Sequence, residues 1–363
     1  CILQDVAHKN MFKAKVKEIS KNILETPQTA ESFPKYGTAA MMELTNAIGG
    51  LPTSNFKTGR FENADKINGQ ALYDEITERG GEGKTTHACM PGCMVRCSNI
   101  YPDKNGKQIV SPLEYETICL AGSNLEIDDL DVIAKFNYYC NDYGIDTIEV
   151  GAAIGVLMES GILPFGDKEG VLNLMKNEVL RSTPLGRIIA SGCDTTGKVF
   201  GVHKIPTVKG QAMPAYEPRA VKGTAVTYAT STMGADHTAG NLVRANIKPD
   251  KKEEFVNASR DAQIKMSIFD GLGFCIMVGG AIKDLRNLTD LINARFDWKM
   301  TVDELENITR SSLSLEREYN CKAGFTIAHD RLPEFFYEEK NPSTGTVFDI
   351  NEEFIEKLNY SDD

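Results

Sequence analysis

The chain has no apolar run of membrane-spanning length, no internal repeat and no low-complexity tract. Basic charge is in deficit: 40 Lys and Arg against 51 Asp and Glu leave a formal net charge of −11 and a pI near 5.1. That balance disfavours nucleic acid and anionic membrane as partners. The opening Cys1-Ile2-Leu3-Gln4-Asp5 has no basic region ahead of a long apolar one, so no signal peptide is read there. Without an initial Met, a fragment or a processed product is expected. An even disulfide framework is also missing. Nine cysteines are an odd number and are clustered, which points to metal binding in a reducing cytoplasm.

What is present centres on His87-Ala88-Cys89-Met90-Pro91-Gly92-Cys93-Met94-Val95-Arg96-Cys97, where three cysteines fall at C-x3-C-x3-C. A fourth lies far downstream in Asp270-Gly271-Leu272-Gly273-Phe274-Cys275. Three clustered thiolates and one remote thiolate are a common way to hold an iron–sulfur cube. Pro91 and Gly92 argue for a loop between Cys89 and Cys93. Two other readings of the spacing stay open. One is a zinc site, although paired C-x2-C is absent. The other is three small buried apolar cysteines.

The 363 residues suit two or three domains with sizeable cores. Strand signals are few, and the pattern predicts a mainly α chain with long functional loops. Residues 11–25 place Phe12, Val16, Ile19 and Ile23 on one helical face. Thr38 is positioned to cap a helix ending at Gly49-Gly50, and 51–62 read as loop. Helices follow near 68–79, from an Asp128 cap to Tyr143, at 147–160 and at 170–181, with a short strand at 107–110. The Pro-rich stretch 202–219 suggests a boundary near Ile205-Pro206, giving domains 1–206 and 207–363. Beyond it the expectation is a Gly/Thr-rich loop at 223–240 and a helix at 251–269 interrupted by Asp270–Cys275. A helix at 281–294 follows, then one opened by a Thr301/Glu304 capping box. After Leu332 a surface tail is expected.

Taken together, these motifs resemble the aldehyde ferredoxin oxidoreductase family of tungsten or molybdenum bis-pyranopterin enzymes. The resemblance rests on the cysteine loop, Asp270–Cys275, Pro34-Lys35-Tyr36-Gly37-Thr38-Ala39, Asn55-Phe56-x-x-Gly59 and Glu114-Tyr115-Glu116. It rests also on Gly144-Ile145-Asp146-Thr147-Ile148, Ala215-Tyr216-Glu217-Pro218-Arg219 and Tyr228-Ala229-Thr230 leading to His237, all in family order. It covers nearly the whole chain and implies the family's two helical C-terminal domains. The family's N-terminal domain, a β-rich saddle over the pterins, has no counterpart here, and the end after Tyr360 is expected to be slightly short.

The resemblance implies that Cys89, Cys93, Cys97 and Cys275 ligate a 4Fe–4S cluster. The family's first gap is C-x2-C, so Cys89 must reach through a one-residue bulge around Pro91-Gly92. It implies pterin contacts from two loops, one with Asn141, Gly144 and Asp146, the other with Asp270 and Gly273. A carboxylate suits a pterin because its aminopyrimidine edge offers adjacent N–H donors. Asn141 replaces the family's first Asp, and each glycine is equally a helix C-cap. Glu116, His237 and Tyr216 match the active-site groups: a base on water, a proton donor or shuttle, and a substrate hydrogen bond. The expected activity is oxidation of an aldehyde to a carboxylic acid, with electrons leaving through the cluster to ferredoxin or an iron–sulfur partner subunit. The alternatives are a non-catalytic electron-transfer module lacking pterin, and a low-potential reductase with another substrate. The family's metal-bridging Glu-x-x-His reads Lys135-Phe136-Asn137-Tyr138, so a homodimer would form without that metal.

Overall fold

The computed structural model describes residues 6–356 and 358; Cys1 and Tyr360 lie outside them. The chain is mainly α-helical. Its first part carries α1 (Lys9–Glu25), α2 (Phe33–Tyr36), α3 (Met41–Ala47) and α4 (Gly69–Arg79). A three-stranded antiparallel sheet follows: β1 (Lys84–His87), β2 (Ser98–Pro102) and β3 (Gln108–Val110), in that spatial order. Next come α5 (Tyr115–Ala121), α6 (Leu130–Tyr143), α7 (Thr147–Glu159) and α8 (Lys168–Asn173), the last running into π-helical Leu174–Val179. After α9 (Pro184–Ala190) and α10 (Cys193–Phe200), β4 (Thr207–Val208) and β5 (Gln211–Ala212) form a two-residue hairpin. The remainder is α11 (Lys222–Thr230), α12 (Lys252–Gly271), α13 (Arg286–Phe296), α14 (Val302–Lys322), α15 (Phe335–Glu338) and α16 (Glu352–Glu356). Among the described residues no helix is long and apolar enough to cross a membrane.

The centre of the first half is α7. Val150 to Met158 are all buried, so this helix has no polar face and packs between α5 and α10. Its glycines make the approach possible. A Cβ on Gly151 would stand 3.0 Å from Leu120 Cβ, and one on Gly155 would stand 2.7 Å from Asn124 Nδ2. Asp146 caps the helix, accepting from Ile148 and Glu149 N–H at 2.6 and 3.2 Å. Glu149 accepts from the backbone of Ala212 (2.7 Å) and Cys193 (3.1 Å), which fastens the β4–β5 hairpin and the start of α10 to α7. In the second half α12 packs between α11 and α14, and α13 packs on α1.

Several sequence expectations need correction. Val16 is exposed, and α1 buries only Ile19 and Ile23 fully. Thr38 does not cap α3, whose N-cap is Ala40: its hydroxyl donates to Glu114 and accepts the N–H of Tyr115, the first residue of α5. Asp129, not Asp128, caps α6, while Asp128 is held between Lys66 and Lys168. The stretch 223–240 is not a single loop, because Lys222–Thr230 is helical and every one of its residues is buried. The segment after Leu332 is no surface tail: Leu332, Phe335, Phe336, Asn341, Phe348 and Ile350 are all buried. The 51–62 stretch is irregular as expected, yet residues 51–56 are all buried, with Ser54, Asn55 and Phe56 in the left-handed region (φ 52–58°).

Candidate functional site

Pairing of β1 with β2 (Lys84 opposite Ile100, His87 opposite Ser98) closes the base of the 88–97 loop. Gly92, at φ 84°, and the Cys93 N–H bonded to Met90 O make a tight turn between Cys89 and Cys93. The loop's far end abuts the Pro34–Ala39 motif. A Cβ on Gly37 (φ 62°) would stand 2.9 Å from Cys97 O, which is a local reason for glycine there. Cys275 arrives from the end of α12 through a left-handed Gly273 (φ 75°), with Phe274 N–H bonded back to Phe269 O at 2.8 Å.

The four thiols form one electrostatic group. Burial pushes the Cys97 thiol up to about 12, with Glu114 and the thiols of Cys275, Cys93 and Cys89 adding to the shift. Cys89 is raised by burial and then by Cys93, with a smaller part from Cys275. Among the described residues no three His, Cys, Asp or Glu side chains converge closely enough to hold a single metal ion.

Cys89, Cys97 and Cys275 line a cavity of about 440 Å³ whose other walls carry Glu116, Tyr216 and His237. Glu116 lies in the first turn of α5, and its Oε2 accepts the Ala215 N–H at 2.7 Å. Its Oε1 is buried without a hydrogen bond, 3.4 Å from His237 Nε2, and His237 Nδ1 is buried without a partner as well. Burial raises the Glu116 carboxyl above its usual range, against the opposing pull of His237 and the Ala215 N–H. Tyr216 sits between Tyr115 (centroids 5.4 Å apart) and His237 (5.7 Å). Burial holds its hydroxyl far above the usual range. The loop bearing His237 is braced by Asp236, whose carboxylate accepts the Thr238 N–H at 2.8 Å.

One further cavity shares His237 and Thr238 with this one, and a third adjoins that second cavity at Met233 and Asp236. A space of about 560 Å³ is lined by Asp146, Asp236, His237 and Thr238, and one of about 940 Å³ by Asp236 and Asp270. Both hydrogen bonds to Asp146 use Oδ1, which leaves Oδ2 of this exposed residue open. Burial, with Asp236 adding to it, raises the Asp270 carboxyl. Asn141 and Gly144 are exposed at the end of α6, where Gly144 is a left-handed C-cap (φ 66°), and they line none of these three cavities; nor does Gly273. The structure adds residues that sequence reasoning passed over. Glu114 lies in the cavity wall with its carboxyl raised by burial. Asn241 and Arg244 stand beside Tyr216. The Glu114-Tyr115-Glu116 spacing is the one signal that could have flagged Glu114.

A family model described as aldehyde ferredoxin oxidoreductase, domains 2 and 3, matches residues 14–359. The tungsten-containing aldehyde ferredoxin oxidoreductase of Pyrococcus horikoshii is 29% identical over 377 residues, covering 96% of this chain and 60% of that protein. That of Thermococcus kodakarensis is 29% identical over 376 residues, with the same coverages. Among solved structures, the active site complex BamBC of benzoyl coenzyme A reductase, in complex with 1,5-dienoyl-CoA, superposes with a TM-score of 0.72. It shares 13% identity and covers 97% of this chain and 61% of its own. That likeness is one of fold, and it describes a mainly α-helical architecture. The chain belongs to the aldehyde ferredoxin oxidoreductase family, as its domains 2 and 3. It spans about 60% of the length of the curated relatives it matches.

Proposed function

We propose that this chain forms part of an oxidoreductase that converts an aldehyde to a carboxylic acid. The observation that carries the reading is one cavity onto which three of the four motif cysteines and the Glu116–His237–Tyr216 group all open. Glu116 Oε1 and His237 Nδ1 are buried polar atoms without partners, and such atoms are costly unless something else meets them. One aldehyde and one water give one carboxylic acid, two protons and two electrons. A C–O bond forms and the aldehyde C–H bond breaks. Glu116, its proton affinity raised by burial, takes a proton from the attacking water. The imidazole of His237 donates to the carbonyl oxygen or relays the released proton. Tyr216 fixes the substrate by a hydrogen bond from its hydroxyl.

Cys89, Cys93, Cys97 and Cys275 fit the ligands of a 4Fe–4S cluster: four mutually close thiols that do not collapse onto a single-ion site. Asp146 and Asp270, each on its own cavity beside the 236–238 loop, fit two pterin contacts. Asn141, Gly144 and Gly273 line neither cavity; Gly144 and Gly273 shape the turns after α6 and α12, and the Asn141 amide offers one acceptor near Gly144. When bound, a tungsten or molybdenum pterin supplies the two-electron acceptor, and the cluster the one-electron exit to a ferredoxin or an iron–sulfur partner subunit.

The test is anaerobic purification, alone and with the upstream domain of its relatives supplied. Iron, acid-labile sulfide, zinc, tungsten and molybdenum are measured per chain, together with aldehyde-dependent dye reduction. Iron and sulfide in equal amounts, heavy metal in the completed protein and dye reduction by aldehydes are expected. Iron and sulfide without heavy metal in either preparation would favour an electron-transfer module. Zinc without sulfide would remove the cluster.

A further inference from the structure

We infer that Arg244 makes this cavity selective for aldehydes that carry an anionic group, a carboxylate or a phosphate, a few carbons from the carbonyl. The inference rests on the aldehyde reading of the site. Arg244 lines the same cavity as Glu116, Tyr216 and His237. In a chain with 51 acidic and 40 basic residues, it forms no ion pair among the described residues. Its guanidinium donates instead to Met41 Sδ at 3.2 Å, and a thioether is a weak acceptor. Arg244 is exposed, and among the described residues most of its five donors have no protein acceptor, so they stand open to solvent or to a ligand.

The guanidinium opens onto the cavity that holds the reacting groups. Its charge and that of Glu116 both act on the Tyr216 hydroxyl, with opposite sign. A substrate carbonyl at Glu116 and His237 would thus have its anion at the Arg244 wall of the same cavity. Between the two ends the wall is apolar, formed by Met41, Val243, Ile276 and Met277. A short hydrocarbon link fits that wall, and a cavity of about 440 Å³ suits a small molecule. The loop carrying Arg244 is supported. Asn241 Oδ1 accepts the Val243 N–H at 2.9 Å, and Leu242 N–H donates to Thr224 Oγ1 of the buried α11 at 3.0 Å. A planar guanidinium fork on a braced loop matches carboxylate or phosphate oxygens two at a time, which a solvated lysine does not.

The test uses the complete, cofactor-loaded enzyme with butanal, succinic semialdehyde and glyceraldehyde phosphate. The wild type is expected to favour one or both anionic aldehydes, and the favoured one identifies carboxylate or phosphate as the group read. In Arg244→Gln the ratio of kcat/KM for the favoured anionic aldehyde over butanal should fall by about tenfold or more, the loss of a charge-assisted hydrogen bond. Arg244→Lys should recover part of that ratio. Calorimetry with succinate and butyrate, the corresponding products, reads the same preference without turnover. Turnover of butanal with no anionic preference, or a ratio unmoved by Arg244→Gln, overturns the inference and leaves the aldehyde reading standing. If no aldehyde is turned over, the aldehyde reading falls. Equal affinities for succinate and butyrate then overturn the role of Arg244, while a succinate preference lost in the variant upholds an anion site.

Discussion

Glu116 is the residue on which stability and proposed chemistry pull in opposite directions. Its carboxyl is raised by burial, so the folded chain keeps a proton there at pH values where the unfolded chain has lost it. Between those two pKa values the native state binds more protons than the unfolded state, and stability falls as pH rises. Glu116→Gln removes that titration, and its amide oxygen can still accept the Ala215 N–H. The variant should therefore melt about 2 °C higher or more above neutral pH, read by calorimetric scans at several pH values. Activity should go the other way. Loss of a general base costs about 100-fold or more in kcat. In the wild type the acidic limb of kcat/KM should lie above the ordinary carboxylate range. A Glu116→Gln enzyme with full activity would remove the residue from the chemistry.

At the scale of elements, Asp146 has two offered roles that one pair of substitutions separates. As N-cap of α7 it serves a helix buried on all sides, and Asp146→Ala should cost about 1 kcal/mol in urea unfolding. Asp146→Asn keeps the cap and should keep that stability. If the carboxylate also meets a pterin through its free Oδ2, the Asn variant should load less tungsten or molybdenum while unfolding like wild type. Gly59 makes a sharper prediction. A Cβ there would stand 1.7 Å from Gly49 O, a backbone atom with no side-chain freedom to yield. Gly59→Ala should lose about 3 kcal/mol by the same measurement. Elements like these also show what was legible in the sequence. Caps were readable where chemistry is local: the Thr301/Glu304 box and the Gly144 C-cap stand where spacing put them. The helix α11 was not, because Gly223, Thr224 and Thr227 read as loop and total burial leaves no polar face to set a helical period. Strands β1 and β2 were hidden by their shortness and by the cysteine loop between them. Glu116, Tyr216 and His237 meet across 121 residues of chain, and periodicity carries no information at that range. A family pattern could bring them together, as the folded chain does. Arg244 had neither a motif nor a period to mark it.

Across the whole molecule, a buried polar node near Glu217 joins distant parts of the chain. Arg219 Nε donates to Glu217 Oε1 at 2.6 Å, with both side chains at most 1% exposed. Asn341 Nδ2 donates to Glu217 Oε2 at 2.7 Å and lies 3.0 Å from Gly49 O. Arg219 Nη1 reaches Glu339 O at 3.1 Å, and the Glu217 N–H reaches Gly50 O at 3.0 Å. The node therefore ties the Gly49-Gly50 turn, the Tyr216 segment and the segment after Leu332 together. Buried pairs of this kind are expensive to break from one side, because the remaining charge stays desolvated. Arg219→Met should lose about 3–5 kcal/mol in urea unfolding. A double variant, Glu217→Leu with Arg219→Met, removes both charges and should recover much of that loss, since no uncompensated ion remains. Limited proteolysis supplies the readout that links the node to architecture. In the single variant, cleavage should appear first beyond Leu332, where the segment is held by Asn341 and by the contact of Arg219 with Glu339. In the double variant the apolar anchors Phe335, Phe336 and Phe348 remain buried and should keep the segment protected. Equal protection in wild type and Arg219→Met would mean that those aromatic side chains alone dock the C-terminal segment, and that the node serves only to place Tyr216.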